Sequence, residues 1–207
     1  MLDTEPLAAR AWTDAAVAMG IDFDQNVTAS LVGRNFPDCR ALILAHHGVG
    51  YPVDGLMQAW HAAYDAIVAN EGIALKPGLT ELLAWLEKTG VRKAVATSPR
   101  RSRAQAKLVR IALVDRFDAL CGGDEPARGK PAPDIFLLAA ARLGVGAADC
   151  IVLEDSEPGI RGAIAAGMTP LLVPDNAEPA ATLAALAPLR FDDLHGVRAH
   201  LVALPSG

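Results

Sequence analysis

The pattern of apolar and polar positions changes at Pro77-Gly78. Ahead of that dipeptide, apolar residues recur at helical spacing. Ala8, Ala11, Trp12, Ala15, Ala16 and Met19 fall on one face, with Gly20 placed to end the helix. A second helical stretch is expected over residues 37–46 and a third over residues 54–70. In the third, Leu56, Ala59, Trp60, Ala63, Tyr64 and Ile67 share a side, and Asp54 is a candidate cap. Residues 4–71 carry no strong strand signal, so this part reads as a small all-helical unit.

Beyond Pro77-Gly78, helical and strand patterns alternate, which predicts an α/β unit built on a doubly wound parallel sheet. Leu79, Leu82, Leu83 and Leu86 form the buried stripe of a helix that Gly90 ends. Strands are expected over residues 91–96, 117–121, 150–153 and 169–173. Between and after them, helices are expected from the basic start Arg100-Arg101-Ser102-Arg103, and over residues 135–143, 159–166, 179–186 and 194–204. The expected division is 1–76 for the helical unit and 77–207 for the α/β unit.

Composition narrows the class. The 52% hydrophobic content and positive mean hydropathy fit a well-buried globular protein. No apolar run approaches the ~20 residues of a membrane span, and Met1-Leu2-Asp3-Thr4-Glu5-Pro6 lacks a signal-peptide pattern. A net charge of -5 with scattered basic residues argues against nucleic acid as a partner. Cys39, Cys121 and Cys150 show no paired spacing, which fits a reduced, cytoplasmic compartment, and Cys150 is expected to be buried. The five His residues have no carboxylate at metal-ligand spacing and read as ordinary polar residues.

The candidate chemistry sits at strand ends, where ligands bind in open α/β sheets. The run Ile151-Val152-Leu153 closes on Glu154 and Asp155, hard oxygen donors suited to Mg²⁺, followed by Ser156 and the breaker Pro158-Gly159. Upstream, Gly129-Lys130-Pro131-Ala132-Pro133-Asp134 places a cation ahead of a helix that Pro133 can open. A fixed cation beside carboxylates points to an anionic substrate, most simply a phosphate. Thr97 adds a hydroxyl at another strand end. Ser98 and Arg100 stand beside it as further candidates for holding phosphate.

In that order, Thr97, Lys130 and Glu154-Asp155 resemble the motifs of the haloacid dehalogenase superfamily, in its branch of sugar-phosphate phosphatases and β-phosphoglucomutase. The resemblance runs from the first residues to about Phe191. It implies a Mg²⁺-dependent phosphatase for a small phosphorylated metabolite such as a sugar phosphate, in a monomer or weak homodimer. Thr97 would hold a phosphate oxygen, Lys130 would be catalytic, and Glu154 and Asp155 would bind metal. The helical unit would be a cap, with Arg34 on a substrate-facing loop after Gly33.

The family's chemistry starts from an Asp-x-Asp motif ending the first strand, whose first Asp attacks phosphorus and whose second is general acid and base. Asp3-Thr4-Glu5-Pro6 resembles the stretch just after it. Residues 1–207 contain no other Asp-x-Asp at the end of an apolar strand. The resemblance therefore implies a chain starting inside the first motif, inactive as written and without its central strand. A start at an internal Met is favoured over a noncatalytic relative, because the other motifs are in place. Either the two flanking strands would pair directly, a second chain would fill the place, or a gap would remain. The mutase alternative is disfavoured: the positions where the mutase carries His and Arg correspond to Ala8 and Phe36.

Overall fold

The computed structural model describes residues 1–31, 36–174, 181–186 and 189–204. They form two compact units, Met1–Leu75 and Lys76–Gly207. Among the described residues, no helix is long and apolar enough to cross a membrane.

The first unit runs β1 (Leu2–Asp3), α1 (Glu5–Met19), α2 (Gln25–Leu31), α3 (Phe36–His47), α4 (Val53–Glu71) and β2 (Ala74–Leu75). Gly20 ends α1 in the left-handed conformation, φ 64°, a cost-free position only for glycine. Trp12, Ala15, Ala16, Ile43 and Leu56 form the core with Phe23. Trp12 packs on Phe23 and Trp60, with ring centroids 6.0 and 5.4 Å apart. The Trp60 indole N–H is satisfied by the Ala8 carbonyl at 3.0 Å, so the ring is packed without stranding its donor. Two features were absent from the sequence reading. Gln25–Leu31 is helical, and β1 pairs antiparallel with β2, Leu2 opposite Leu75.

The second unit continues with α5 (Leu79–Lys88), β3 (Ala94–Ala96), α6 (Arg101–Arg110), β4 (Ala119–Cys121), α7 (Asp134–Leu143), β5 (Ile151–Glu154), α8 (Glu157–Ala165), β6 (Thr169–Leu172), α9 (Ala181–Leu186) and α10 (Leu194–Ala203). The strand expected over 91–96 keeps only its last three residues. Arg92 turns away to donate to the Leu143 carbonyl, and Val91 is exposed. The strand expected over 117–121 likewise begins only at Ala119, because Asp118 bonds through both backbone and side chain to Lys93. Cys150 is half-buried rather than buried, and its thiol donates to the Gly146 carbonyl.

β3 pairs in parallel with β4, Val95 opposite Leu120. β5 pairs in parallel with β6, Leu153 opposite Leu171. The strand direction and the alternation with helices are those of the expected fold. The sheet is not continuous, however: among the described residues neither β3 nor β5 has a second strand partner. Both pairs nevertheless rest on one apolar cluster. Ala94 and Ala96 of β3, and Cys150 and Val152 flanking Ile151 in the other pair, pack against Ile135, Phe136, Ala139, Ala140, Ala163 and Ala166. Helices α7 and α8 thus underlie one layer with a gap in it.

Candidate active site

The site is built where β3, β5 and the turn before α7 end. Lys130 and Glu154 are its centre. The Lys130 ammonium donates to Glu154 Oε1 and, at 3.3 Å, to the Ala96 carbonyl at the end of β3. The two side chains are only 10% and 8% exposed. A buried charge this deep is stable only if paired and hydrogen-bonded, and here each charge has the other. The ammonium also lies 4.9 Å from the centroid of the Phe136 ring, a cation–π contact. Two of its three N–H donors are therefore accounted for by carbonyl and carboxylate, and one is left for a ligand oxygen.

Glu154 is held from its other side. Ser156 Oγ donates to Oε2 at 3.0 Å and accepts from the Gly159 backbone N–H at 3.2 Å. Ser156 is thus the N-cap of α8 and the clamp on Glu154 at once. The carboxylate lies so close to α8 that a Cβ on Gly159 would be 2.1 Å from its carbon. The sequence reading treated Ser156 and Gly159 as loop and breaker; their three-residue spacing, Ser before the first helical turn, was the signal available. Gly162 brings α8 against α7, since a Cβ there would meet Phe136 Cε2 at 2.8 Å.

Thr97 follows β3, its N–H bonded to the Cys121 carbonyl at 3.0 Å. The loop after it is pressed onto Gly122 and Gly123. A Cβ on Gly123 would be 2.0 Å from the Ser98 carbonyl oxygen, and one on Gly122 would be 2.1 Å from the Arg101 nitrogen. Asp124 accepts from that Arg101 N–H at 2.7 Å, capping α6. Glu125 holds the glycine turn by accepting from the Gly122 N–H and from Arg142, at 2.7 and 2.6 Å. These bonds, Arg142 first, hold the Glu125 carboxyl down at about 2. The part that residues 122–125 play in shaping the Thr97 loop comes from contacts between segments far apart in the chain.

The structure brings Lys130 and Glu154 into direct contact, and through Ala96 places both beside the start of the Thr97 loop. Ser98 and Arg100 lie exposed on that loop, with no hydrogen bond or ion pair to Lys130, Glu154 or Asp155. Arg34 lies outside the described residues.

Asp155 directly follows β5. Crowding by surrounding protein, then the adjacent Glu154 charge, raise its carboxyl above the ordinary value. Both Glu154 oxygens are engaged, by Lys130 and by Ser156, which leaves Asp155 as the free carboxylate. Among the described residues, no group of three or more His, Cys, Asp or Glu side chains is placed to hold a metal. Asp155 alone does not make a Mg²⁺ site, although Mg²⁺ often takes only one or two carboxylates and fills its shell with water and phosphate.

The chain is 33% identical to the β-phosphoglucomutase of Bacillus subtilis, over 80% of this chain and 75% of that protein. It is 30% identical to the fructose-1-phosphate phosphatase YqaB of Escherichia coli, over 81% of this chain and 88% of that protein. The crystal structure of a CbbY mutant from Rhodobacter sphaeroides, in complex with xylulose-(1,5)bisphosphate, superposes with a TM-score of 0.78 at 29% identity, covering 94% of this chain and 90% of that one. The haloacid dehalogenase-like hydrolase family matches residues 1–167, more than half of the sequence, and the chain belongs to that family.

Proposed function

We propose that this protein is a phosphatase for a small phosphorylated metabolite, with a sugar phosphate as the substrate class. The observation that carries the reading is the buried Lys130–Glu154 pair at the Ala96 carbonyl, with one ammonium N–H unspent beside the Thr97 loop. In this reading Thr97 and that N–H hold two phosphoryl oxygens, and Glu154 keeps Lys130 aimed. Ser98 and Arg100 are available on the same loop to a non-bridging oxygen. The relatives named for phosphatase activity and for a bound sugar bisphosphate support the substrate class.

Asp155 is the residue we assign to Mg²⁺, as one carboxylate ligand. When bound, the ion would neutralise charge on the phosphoryl oxygens. Hydrolysis also needs a nucleophile: a carboxylate attacks phosphorus, the bond to the leaving oxygen breaks as a general acid protonates it, and water then cleaves the acyl phosphate. Residues 1–207 hold no Asp-x-Asp at a strand end, so this chain by itself is proposed to be inactive. The helical unit is proposed as the cap that selects the substrate.

The experiment compares residues 1–207 with the same chain extended at its N-terminus by an apolar strand ending in Asp-x-Asp. Release of inorganic phosphate from a sugar-phosphate panel is followed with and without Mg²⁺. The expected result is Mg²⁺-dependent release by the extended form only, abolished by Asp155→Ala. Movement of phosphate between sugar positions without release would establish the mutase instead. Phosphate binding by the extended form without turnover of any ester would establish a noncatalytic module.

A further inference from the structure

We propose that helix α7 is a strut that fixes the Thr97 loop and the Lys130 turn relative to each other. Asp134 and Arg142 are the positioning residues at its two ends. The inference rests on the phosphatase reading, in which those two segments hold oxygens of one phosphoryl group. In this role neither Asp134 nor Arg142 touches substrate; each acts through the segment it binds.

The first end of α7 closes the Lys130 turn. Arg128 donates to both oxygens of the Asp134 carboxylate, through Nε at 3.2 Å and Nη2 at 2.9 Å. The pair brackets residues 129–133, so the fork shuts the turn that carries Lys130. A bidentate Arg–carboxylate pair fixes orientation as well as distance. Within the turn, the Ala132 N–H donates to the Gly129 carbonyl at 3.0 Å. Phe136, in the first turn of α7, brings its ring centroid within 4.9 Å of the Lys130 ammonium.

The other end reaches the Thr97 loop by way of β4. Arg142 stands eight residues beyond Asp134, ~12 Å along the helix axis. It donates through Nη2 to Glu125 at 2.6 Å and through Nη1 to the Leu120 carbonyl at 2.7 Å. Glu125 in turn accepts from the Gly122 N–H at 2.7 Å. The turn held in this way bonds straight to the loop. The Gly123 N–H donates to the Pro99 carbonyl at 2.8 Å, and the Thr97 N–H donates to the Cys121 carbonyl at 3.0 Å.

Between its ends the helix is firmly seated. Ile135, Phe136, Ala139 and Ala140 are at most 8% exposed, in one cluster with Ala94 and Ala96 of β3 and Ala163 of α8. A Cβ on Gly162 would lie 2.8 Å from Phe136 Cε2 and 3.2 Å from the Ala132 carbonyl, so α8 presses on the same end of α7 and on its turn. Close-packed interiors transmit displacement rather than absorb it. Both bridges therefore refer their loops to one body. A direct tie also joins the two segments, from Lys130 to the Ala96 carbonyl at 3.3 Å, but it runs through the tip of a long side chain. Helix α7 holds the two backbones.

The test titrates inorganic phosphate into the 207-residue chain and follows the Thr97 and Lys130 amide resonances. Glu125→Gln cuts one bridge, Arg128→Gln the other, and the double variant cuts both. Each single variant should weaken phosphate binding about tenfold, since small misplacements of positioned groups are costly. Arg128 is 71% exposed, so its loss should leave the thermal midpoint nearly unchanged, which a merely stabilising role would not combine with weaker binding. The double variant should lose no more than about twofold further, because freeing either end already uncouples the two segments. Losses that multiply to about a hundredfold would mean two independent loops and would overturn the strut. Unaltered affinity in either single variant would overturn it too. Amide exchange separates this inference from the phosphatase reading. If the unaltered chain binds no phosphate, that reading fails, and exchange alone decides the strut. Thr97 and Gly123 should exchange about tenfold faster in Glu125→Gln, and Ala132 in Arg128→Gln. Unchanged exchange at those three amides would overturn the proposal.

Discussion

The two units solve the problem of charge and polarity in opposite ways. In Met1–Leu75, the ion pairs Arg10–Glu71, Arg40–Asp54 and His46–Asp24 lie at the surface, each at least a third exposed on both sides. Its interior is aromatic and aliphatic, closed around Trp12. In Lys76–Gly207, a lysine and a glutamate are sunk together at a strand end, and two strands keep an open edge beside them. The second unit carries polar groups whose burial costs stability unless every partner is present, which is the usual mark of a site rather than of a scaffold.

The largest effect should come from unpairing the buried charge. Glu154→Ala leaves the Lys130 ammonium with a carbonyl and an aromatic ring but no counter-charge, a change that costs about 3–5 kcal/mol when one member of a buried pair is removed. Urea unfolding of the two proteins measures it. A loss below ~1 kcal/mol would show that solvent reaches the pair. The double variant Lys130→Met/Glu154→Leu should recover much of the loss, because well-packed apolar replacements of a buried pair are often neutral.

Gly159→Ala is expected next. In an ordinary helix this change adds up to ~1 kcal/mol of stability. Here the new Cβ would fall within 2.1 Å of the Glu154 carboxylate, so the sign should reverse, to a loss of about 1–3 kcal/mol typical of overpacking. A stabilised variant would mean that Glu154 can swing clear of α8 at little cost.

The pH dependence of the second unit sharpens the contrast further. Glu125 has its carboxyl lowered from an ordinary 4.5 to about 2 by Arg142 and the Gly122 N–H. A depressed carboxyl contributes stability that is fully present above the unfolded value and is lost as pH falls through the folded one. Thermal midpoints should therefore drop between pH 5 and pH 2. Glu125→Gln should flatten that part of the curve and lower the midpoint at neutral pH. A parallel curve for the variant would assign the acid sensitivity to other carboxylates.

Arg40→Ala sets the lower end of the scale. The Arg40–Asp54 pair has good geometry, 2.8 Å, but its side chains are 47% and 72% exposed. Exposed pairs contribute ~0–1 kcal/mol, reduced by salt. Thermal denaturation in low and high salt should show a small, salt-sensitive change. A larger loss would place Arg40 in the packing of the unit rather than on its surface.

Much of this protein was determined by local sequence. Helical spacing of apolar residues, Gly20 as a left-handed stop, Ser156 as a cap and the apolar run ending at Glu154-Asp155 act over a few residues, where short-range sterics and hydrogen bonding decide. Family and fold class were legible because they rest on such signals in order. What only tertiary structure decided depends on atoms far apart in the chain. Lys130 meets Glu154 across 24 residues, a contact that neither segment announces by itself. Gly159 reads as a breaker residue, yet it gives the room that the Glu154 carboxylate needs, and Gly122 and Gly123 give the room that the loop after β3 needs. Short β1 and β2 escaped notice because two residues of strand carry too little periodicity to register. The open edges of β3 and β5 were the least legible in detail. Strand pairing is a contract between two segments, and no residue in either one records whether its neighbour's place is filled.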